Sequence, residues 1–417
     1  MKPSIALTMA SLEPGRHPGV INRWAAQLLY RQLAQLEAGE IILADGDVQR
    51  FGRVTADFPL SVRIDVRHPS FYGNTVFGGS VGSAEGYMAD AWRCSDLVGL
   101  VRIMVRNRHV LDGLDGGLAL VAAPVRNLLH AWNRNTEAGS QRNIAAHYDL
   151  GNDFFKLFLD ETMMYSCALF ERPDMTLREA QIAKLERICQ RLALKPGDRV
   201  IEIGTGWGGF AIHAASRYGC HVTTTTISDR QYQLAAERIR AAGLEDRITL
   251  LKQDYRKLEG QYDKLVSIEM IEAVGHHFYE TFFRQCAHLL KPEGLMLVQA
   301  ITINDRHYRR ARDEVDFIKR FIFPGSCIPA ITALVGAATR ASDLQLIHLD
   351  DIGPHYETTL RRWREAFLTR LDAVRAQGYT EPFIRLWEFY FAYCEGGYAE
   401  RALGDVHLLM AKPLYRG

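Results

Sequence analysis

Asp198-Arg-Val-Ile-Glu-Ile-Gly-Thr-Gly-Trp-Gly-Gly-Phe210 is the stretch that decides the fold. The apolar run Val200–Ile203 predicts a short buried strand, and the glycines that follow predict a tight turn into a helix from about Gly209 through Arg217. Gly204, Gly206 and Gly209 fit the spacing G-x-G-x-x-G. In such a turn a ligand lies against bare main chain at a helix N-terminus, and Gly204, Gly206 and Gly208 are the expected contacts.

Glu202 separates two ligand classes. A dinucleotide brings an anionic pyrophosphate to this turn, and a carboxylate two residues before the first glycine repels it. S-adenosylmethionine brings an ammonium and a sulfonium, which a carboxylate favours. The next strand, His221–Thr226, lacks the terminal acid that takes ribose hydroxyls in dinucleotide sites; Thr226 and Gln231 are the polar groups available instead. Strands at Ile248–Leu251, Tyr262–Ile268, Leu295–Ile301 and Val406–Ala411 alternate with helices at Leu177–Leu192, Asp229–Ala242 and Phe278–Leu290. That order predicts an α/β, doubly wound, mostly parallel sheet with ligands beyond the strand C-termini, where Tyr255 and Arg256 are placed to grip adenine.

The chain has 417 residues, more than one ordinary domain, and a net charge of +1, which gives no electrostatic case for nucleic acid. Its seven cysteines include no C-x-x-C pair, which argues against zinc and redox motifs and predicts a reducing, cytoplasmic setting. No apolar run approaches the roughly 20 residues of a spanning helix, so a membrane is expected to be met peripherally, from its inner face.

Before the glycine turn, residues 1–135 predict a small α+β domain for lipid binding or dimerisation. It has an amphipathic helix near 20–37, short antiparallel strands between Ile41 and Val66, a glycine cluster from Gly73 to Gly86, and helices at Ala84–Arg93 and Asp96–Arg108. The amphipathic helix reads as core or as a membrane anchor. Arginines at 102, 106, 108, 126, 134 and 142 make a basic stretch, either a solvated face or a contact for anionic headgroups. Residues 136–195 predict a helical connector and lid. Residues 196–417 form the expected cofactor domain, and its segment 302–403, rich in aromatics and arginines, predicts a cap over an acyl chain.

Taken together, the segments HYDLGNDFF, MYSCA, IEIGTGWGG, TTISDRQ, KPEG, FIFPGSCIP and HYETTLRRW resemble the cyclopropane-fatty-acid synthase family over residues 70–415. The resemblance implies a class I methyltransferase fold, Rossmann-like, with a helical substrate cap. It implies a cofactor site of Tyr165, Ser166, Gly204, Gly206, Thr226, Gln231, Tyr255 and Arg256. It also implies a bicarbonate ion held by the Cys167 main chain, Glu272, Ile301 and Tyr356, with Cys394 in the active site. One position departs: Gln299 stands where the family carries a histidine.

The implied reaction transfers a methylene group from S-adenosylmethionine to the double bond of an unsaturated phospholipid acyl chain at the membrane surface. The olefin is a weak nucleophile, so alignment and exclusion of water are required. Tyr356 and Phe170 offer aromatic faces to the resulting cation. Glu272 is the expected base or bicarbonate partner, His147 is a second candidate base, and Glu269 is assigned a structural role at a helix start. Because Gln299 cannot ionise, methyl branching without ring closure is the alternative product. A methyltransferase for small molecules and an inactive cofactor-binding protein remain as alternatives of other classes, and a homodimer through the first domain is left open.

Overall fold

The computed structural model describes residues 19–110 and 150–417. They form two compact units. One takes in the described residues up to 110 with Glu314–Ile322 and Arg364–Ala402; the other takes in those from 150 to Asp313 with Phe323–Trp363 and Leu403–Gly417. The stretch expected as a single cap is thus divided between the two.

In the first unit, β1 (Gly39–Asp45) and β2 (Asp47–Arg53) form an antiparallel hairpin closed by Gly46 at φ 71°. β3 (Ser61–Val66) runs parallel to β1, and β4 (Trp92–Cys94) completes the order β2-β1-β3-β4. The expectation of antiparallel strands fails for β3 because residues 54–60 cross past the start of β1, so β3 begins level with Glu40 and runs alongside β1 in the same direction. The glycine cluster is helical. It lies within the helix Ser70–Met88, which is kinked at Gly79 (φ 55°), and a Cβ on Gly82 would lie 2.1 Å from the Asn74 carbonyl oxygen. Glycine here permits close packing across the kink. Arg102 and Arg106 both pair with Glu400, at 2.7 and 2.5 Å, so one carboxylate within the unit offsets part of the charge of this stretch. Arg126, Arg134 and Arg142 lie outside the described residues.

The second unit is built on a seven-stranded sheet: β5 (Arg199–Ile203), β6 (His221–Thr226), β7 (Ile248–Lys252), β8 (Tyr262–Ile268), β9 (Leu290–Ile303), β10 (Gln345–Asp351) and β11 (Leu403–Ala411), in the order β10-β11-β9-β8-β5-β6-β7. β5 to β9 are mutually parallel, and β11 is antiparallel to both of its neighbours. β10, at the sheet edge within the expected cap, has no clear alternating signal in the sequence. The Lys291–Gly294 turn is absorbed into β9 as an irregularity opposite Tyr262–Lys264.

Chain order reverses between β5 and β8, so the sheet opens a crevice beyond the C-terminal ends of those two strands. Strand alternation assigns side chains to the two faces. Ile201, Leu265, Val298, Ala300, Val406 and Leu408 face one core, and Val200, Val266, Leu297 and Leu409 face the other. By the same period, Glu202, Gln299, Asp405 and His407 fall on the second face, the one covered by the helix Leu177–Arg191.

Candidate active site

At the end of β5, Gly204, Gly206 and Gly208 have φ of 97°, 52° and 85°, and Gly208 caps the helix Gly209–Tyr218. These are left-handed conformations that disfavour side chains. A Cβ on Gly209 would meet Met164 Sδ at 2.6 Å and the Thr162 carbonyl oxygen at 2.8 Å, so the segment before Tyr165 presses on the helix start. At the end of β6, Thr226 Oγ1 donates to Gln231 Oε1 at 2.8 Å, and Ser228 caps the following helix. Beyond β7, Arg256 grips Asp254 with two nitrogens, at 2.8 and 2.6 Å, and its guanidinium lies near the Tyr255 and Phe278 rings. The Tyr255 ring packs on Phe282, its hydroxyl is buried without a partner, and burial raises its pKa.

Glu202 is buried and accepts the Thr224 hydroxyl at 2.6 Å; burial pushes its carboxyl up to about 8. Its charge is therefore retained at neutral pH only beside a compensating cation. Tyr165 lies among Phe155, Phe158, Phe323 and Trp363, with ring centroids 5.2 to 6.5 Å away, and Tyr356 meets Trp363 edge-on. Ser166 Oγ accepts the ammonium of Lys184 at 2.6 Å. Lys184 is fully buried, and desolvation brings it down to about 8 despite the nearby negative charge of Glu269.

The residue directly after β8 is the hub of the site. Glu269 Oε1 accepts the Cys167 main-chain N–H at 2.7 Å and the Gln299 amide at 2.8 Å, and Oε2 accepts the Tyr356 hydroxyl at 2.7 Å. Its own backbone is held at φ 46°. The Gln299 amide also donates to Asp405 Oδ2 at 3.0 Å. The Gln299 carbonyl lies 3.3 Å from His407 Nε2. Burial drives His407 down to about 3, so it is neutral, and its Nε2 carries the proton that the Gln299 carbonyl accepts. Burial and the Glu269 charge hold Asp405 well above the carboxylate range.

Three residues on, Glu272 Oε1 accepts the Ile301 main-chain N–H at 2.5 Å, while Oε2 is buried with no hydrogen-bond partner. Burial, reinforced by Glu269, pushes this carboxyl up to about 8. The sequence assigned Glu269 a structural place at a helix start, and the geometry corrects that: it collects donors from three distant segments. The groups expected around bicarbonate are split, with the Cys167 N–H and the Tyr356 hydroxyl on Glu269 and the Ile301 N–H on Glu272. Bicarbonate does not fit this donor set as it stands.

Cys167 is buried, its thiol is raised well above its usual range by desolvation, and it donates towards the Ala168 and Ile352 carbonyls. Its main chain alone serves the site. Phe170 packs on Ala168, Met175 and Ala180. Cys394 lies on the helix Glu381–Ala399 in the first unit, and His147 lies outside the described residues. Lys184, Asp405 and His407 were missed by the sequence reading. Their signal was polarity on a buried stripe, Ala180/Lys184/Ile188, and within an otherwise apolar strand.

Residues 135–408 match the family model for mycolic acid cyclopropane synthetase. The chain belongs to this family. The tuberculostearic acid methyltransferase UfaA1 of Mycobacterium tuberculosis H37Rv is 37% identical over 327 residues, covering 77% of this chain and 76% of that protein. The cyclopropane-fatty-acyl-phospholipid synthase of Escherichia coli K12 is 35% identical over 351 residues, covering 84% of this chain and 87% of that protein. The mycolic acid cyclopropane synthase CmaA1, solved with SAH and CTAB, superposes with a TM-score of 0.61 at 30% identity, over 65% of this chain and 98% of that one. The family membership and the shared fold make the chain a class I, S-adenosylmethionine-dependent methyltransferase.

Proposed function

We propose that this enzyme transfers a methyl carbon from S-adenosylmethionine to the double bond of an unsaturated phospholipid acyl chain and closes a cyclopropane ring. When bound, the cofactor supplies an electrophilic methyl group on a sulfonium. The observation that carries the reading is the juxtaposition of two carboxylates, Glu269 and Glu272, with the rings of Tyr165, Tyr356, Trp363 and Phe323 beside the glycine turn. Gly204, Gly206, Gly208, Thr226, Gln231, Tyr255, Arg256, Tyr165 and Ser166 hold the cofactor in this reading. The rings exclude water and face a carbocation with their negative π surfaces. A carboxylate then receives a proton from the new methyl group, and the C–H electron pair closes the ring.

A peripheral membrane contact is supported by Val20, Ile21 and Trp24, which are 75%, 69% and 48% exposed at the start of the first helix. Among the described residues no helix is long and apolar enough to cross a membrane. Methyl branching is the second reading. It is favoured by Gln299 and by the activity in the name of the relative UfaA1.

Lipid mass spectrometry on cells expressing the chain tests both readings. A gain of about 14 mass units with loss of the double bond supports ring closure, and the same gain with a double bond retained supports branching. Unchanged lipids, with the protein folded and SAH bound, refute the proposal.

A further inference from the structure

We propose that the Glu269 carboxylate is the built-in base of this site and stands in the place of a captured bicarbonate ion. The inference rests on the methyl-transfer reading above and names the group that takes the proton. A carboxylate and a bicarbonate present the same pair of anionic oxygens to hydrogen-bond donors. In this chain the oxygens belong to a side chain: Oε1 takes the Cys167 N–H and the Gln299 amide, and Oε2 takes the Tyr356 hydroxyl, all within 2.8 Å.

A free anion would have to displace Glu269 from these donors, and Ile301 offers its N–H to Glu272 instead. The amide of Gln299 suits this arrangement. It donates to Glu269 and to Asp405 at once, and it brings no titrating proton of its own.

The backbone supports the same conclusion. At φ 46° Glu269 occupies a left-handed conformation that is uncommon for a residue with a Cβ and natural for glycine. Such strain is found where the surrounding structure over-determines it, and here three donors fix the carboxylate. In the reaction, the alkene π pair forms a C–C bond to the methyl carbon as the C–S bond breaks. Glu269 then accepts one proton from that methyl, and the C–H pair forms the second C–C bond. The proton leaves with Glu269, and no oxidant or reductant is required.

The test uses the purified full chain in carbon-dioxide-free buffer, with and without added bicarbonate. It compares wild type, Glu269→Gln and Glu269→Gly. The first readout is product formation. The second is the infrared difference between 12C- and 13C-bicarbonate samples, which needs no turnover. Wild type is expected to work equally well without bicarbonate and to show no bound-bicarbonate band. Glu269→Gln is expected to lose about 100-fold or more, as removal of a general base does, and not to be rescued. Glu269→Gly is expected to bind bicarbonate, to show the isotope-shifted band and to recover activity with it.

Wild type that needs bicarbonate, or Glu269→Gln within about threefold of wild type, overturns the inference. So does a folded Glu269→Gly that binds SAH and shows neither band nor rescue. If no variant, wild type included, yields a methylated acyl product while SAH binds, the methyl-transfer reading itself fails, and the infrared arm still reports on the anion site.

Discussion

Lys184 is expected to lower the stability of the protein while serving its chemistry, so Lys184→Met separates the two. In the folded chain its ammonium is buried against Ser166 Oγ, and its proton affinity falls from an ordinary 10.5 to about 8. At 1.36 kcal/mol per pH unit, folding disfavours the charged form by about 3 kcal/mol. The unfolded state binds the proton more tightly, so this destabilisation is fully present below pH 8. It is relieved as pH rises towards 10.5. Methionine fills similar space without charge, at the cost of about 1 kcal/mol for the Ser166 hydroxyl that loses its donor. Urea unfolding at pH 7 is then expected to show Lys184→Met more stable by about 2 kcal/mol.

Between pH 8 and 9.5 the wild type should gain about 2 kcal/mol that the variant does not. Activity should move the other way. Without the ammonium, the cluster of Glu269 and Asp405 loses a nearby compensating charge, and kcat at pH 7 is expected to fall. A variant less stable than wild type at pH 7, with the same pH slope as wild type, would refute the reasoning.

Tyr356→Phe removes the hydroxyl donor on Glu269 Oε2 and should lower kcat about tenfold; SAH affinity measured by calorimetry should be unchanged. Glu272→Gln removes a carboxyl that folding raises from 4.5 to about 8, so wild type loses stability relative to the variant as pH rises from 4.5 to 8. Thermal melts across that window check the sign. Gly204→Ala places a Cβ 3.2 Å from Met270 Cγ at φ 97° and should weaken SAH binding at least about fivefold, with strain of about 1 kcal/mol or more. Gln299→His replaces a two-handed amide donor, and the ratio of cyclopropane to branched product by mass spectrometry should change.

The cofactor turn was legible because strand, glycines and helix are contiguous, and local sequence alone fixes their geometry. The parallel strands from 199 to 268 were found within a residue for the same reason. Glu269 was misread because what defines it, the donors at 167, 299 and 356, meets it only after β8, β9 and the helix Pro354–Leu368 are brought together. Asp405 and His407 sit in a strand whose period assigns them to a core, and a sequence offers no partner for a charge in that position. The glycines of the first unit look like turn residues, yet they serve helix packing, because Gly82 matters for what it lacks when Asn74 draws near.

The left-handed backbone at position 269 also has a genetic consequence. Codons for glutamate and glycine with the same third letter differ by one nucleotide. Because this geometry strains glutamate and suits glycine, the inference above implies that a single base change would convert an enzyme that carries its anion in its own polypeptide into one that draws it from dissolved carbon dioxide. Dependence on the surrounding gas would then be a heritable trait set at one codon.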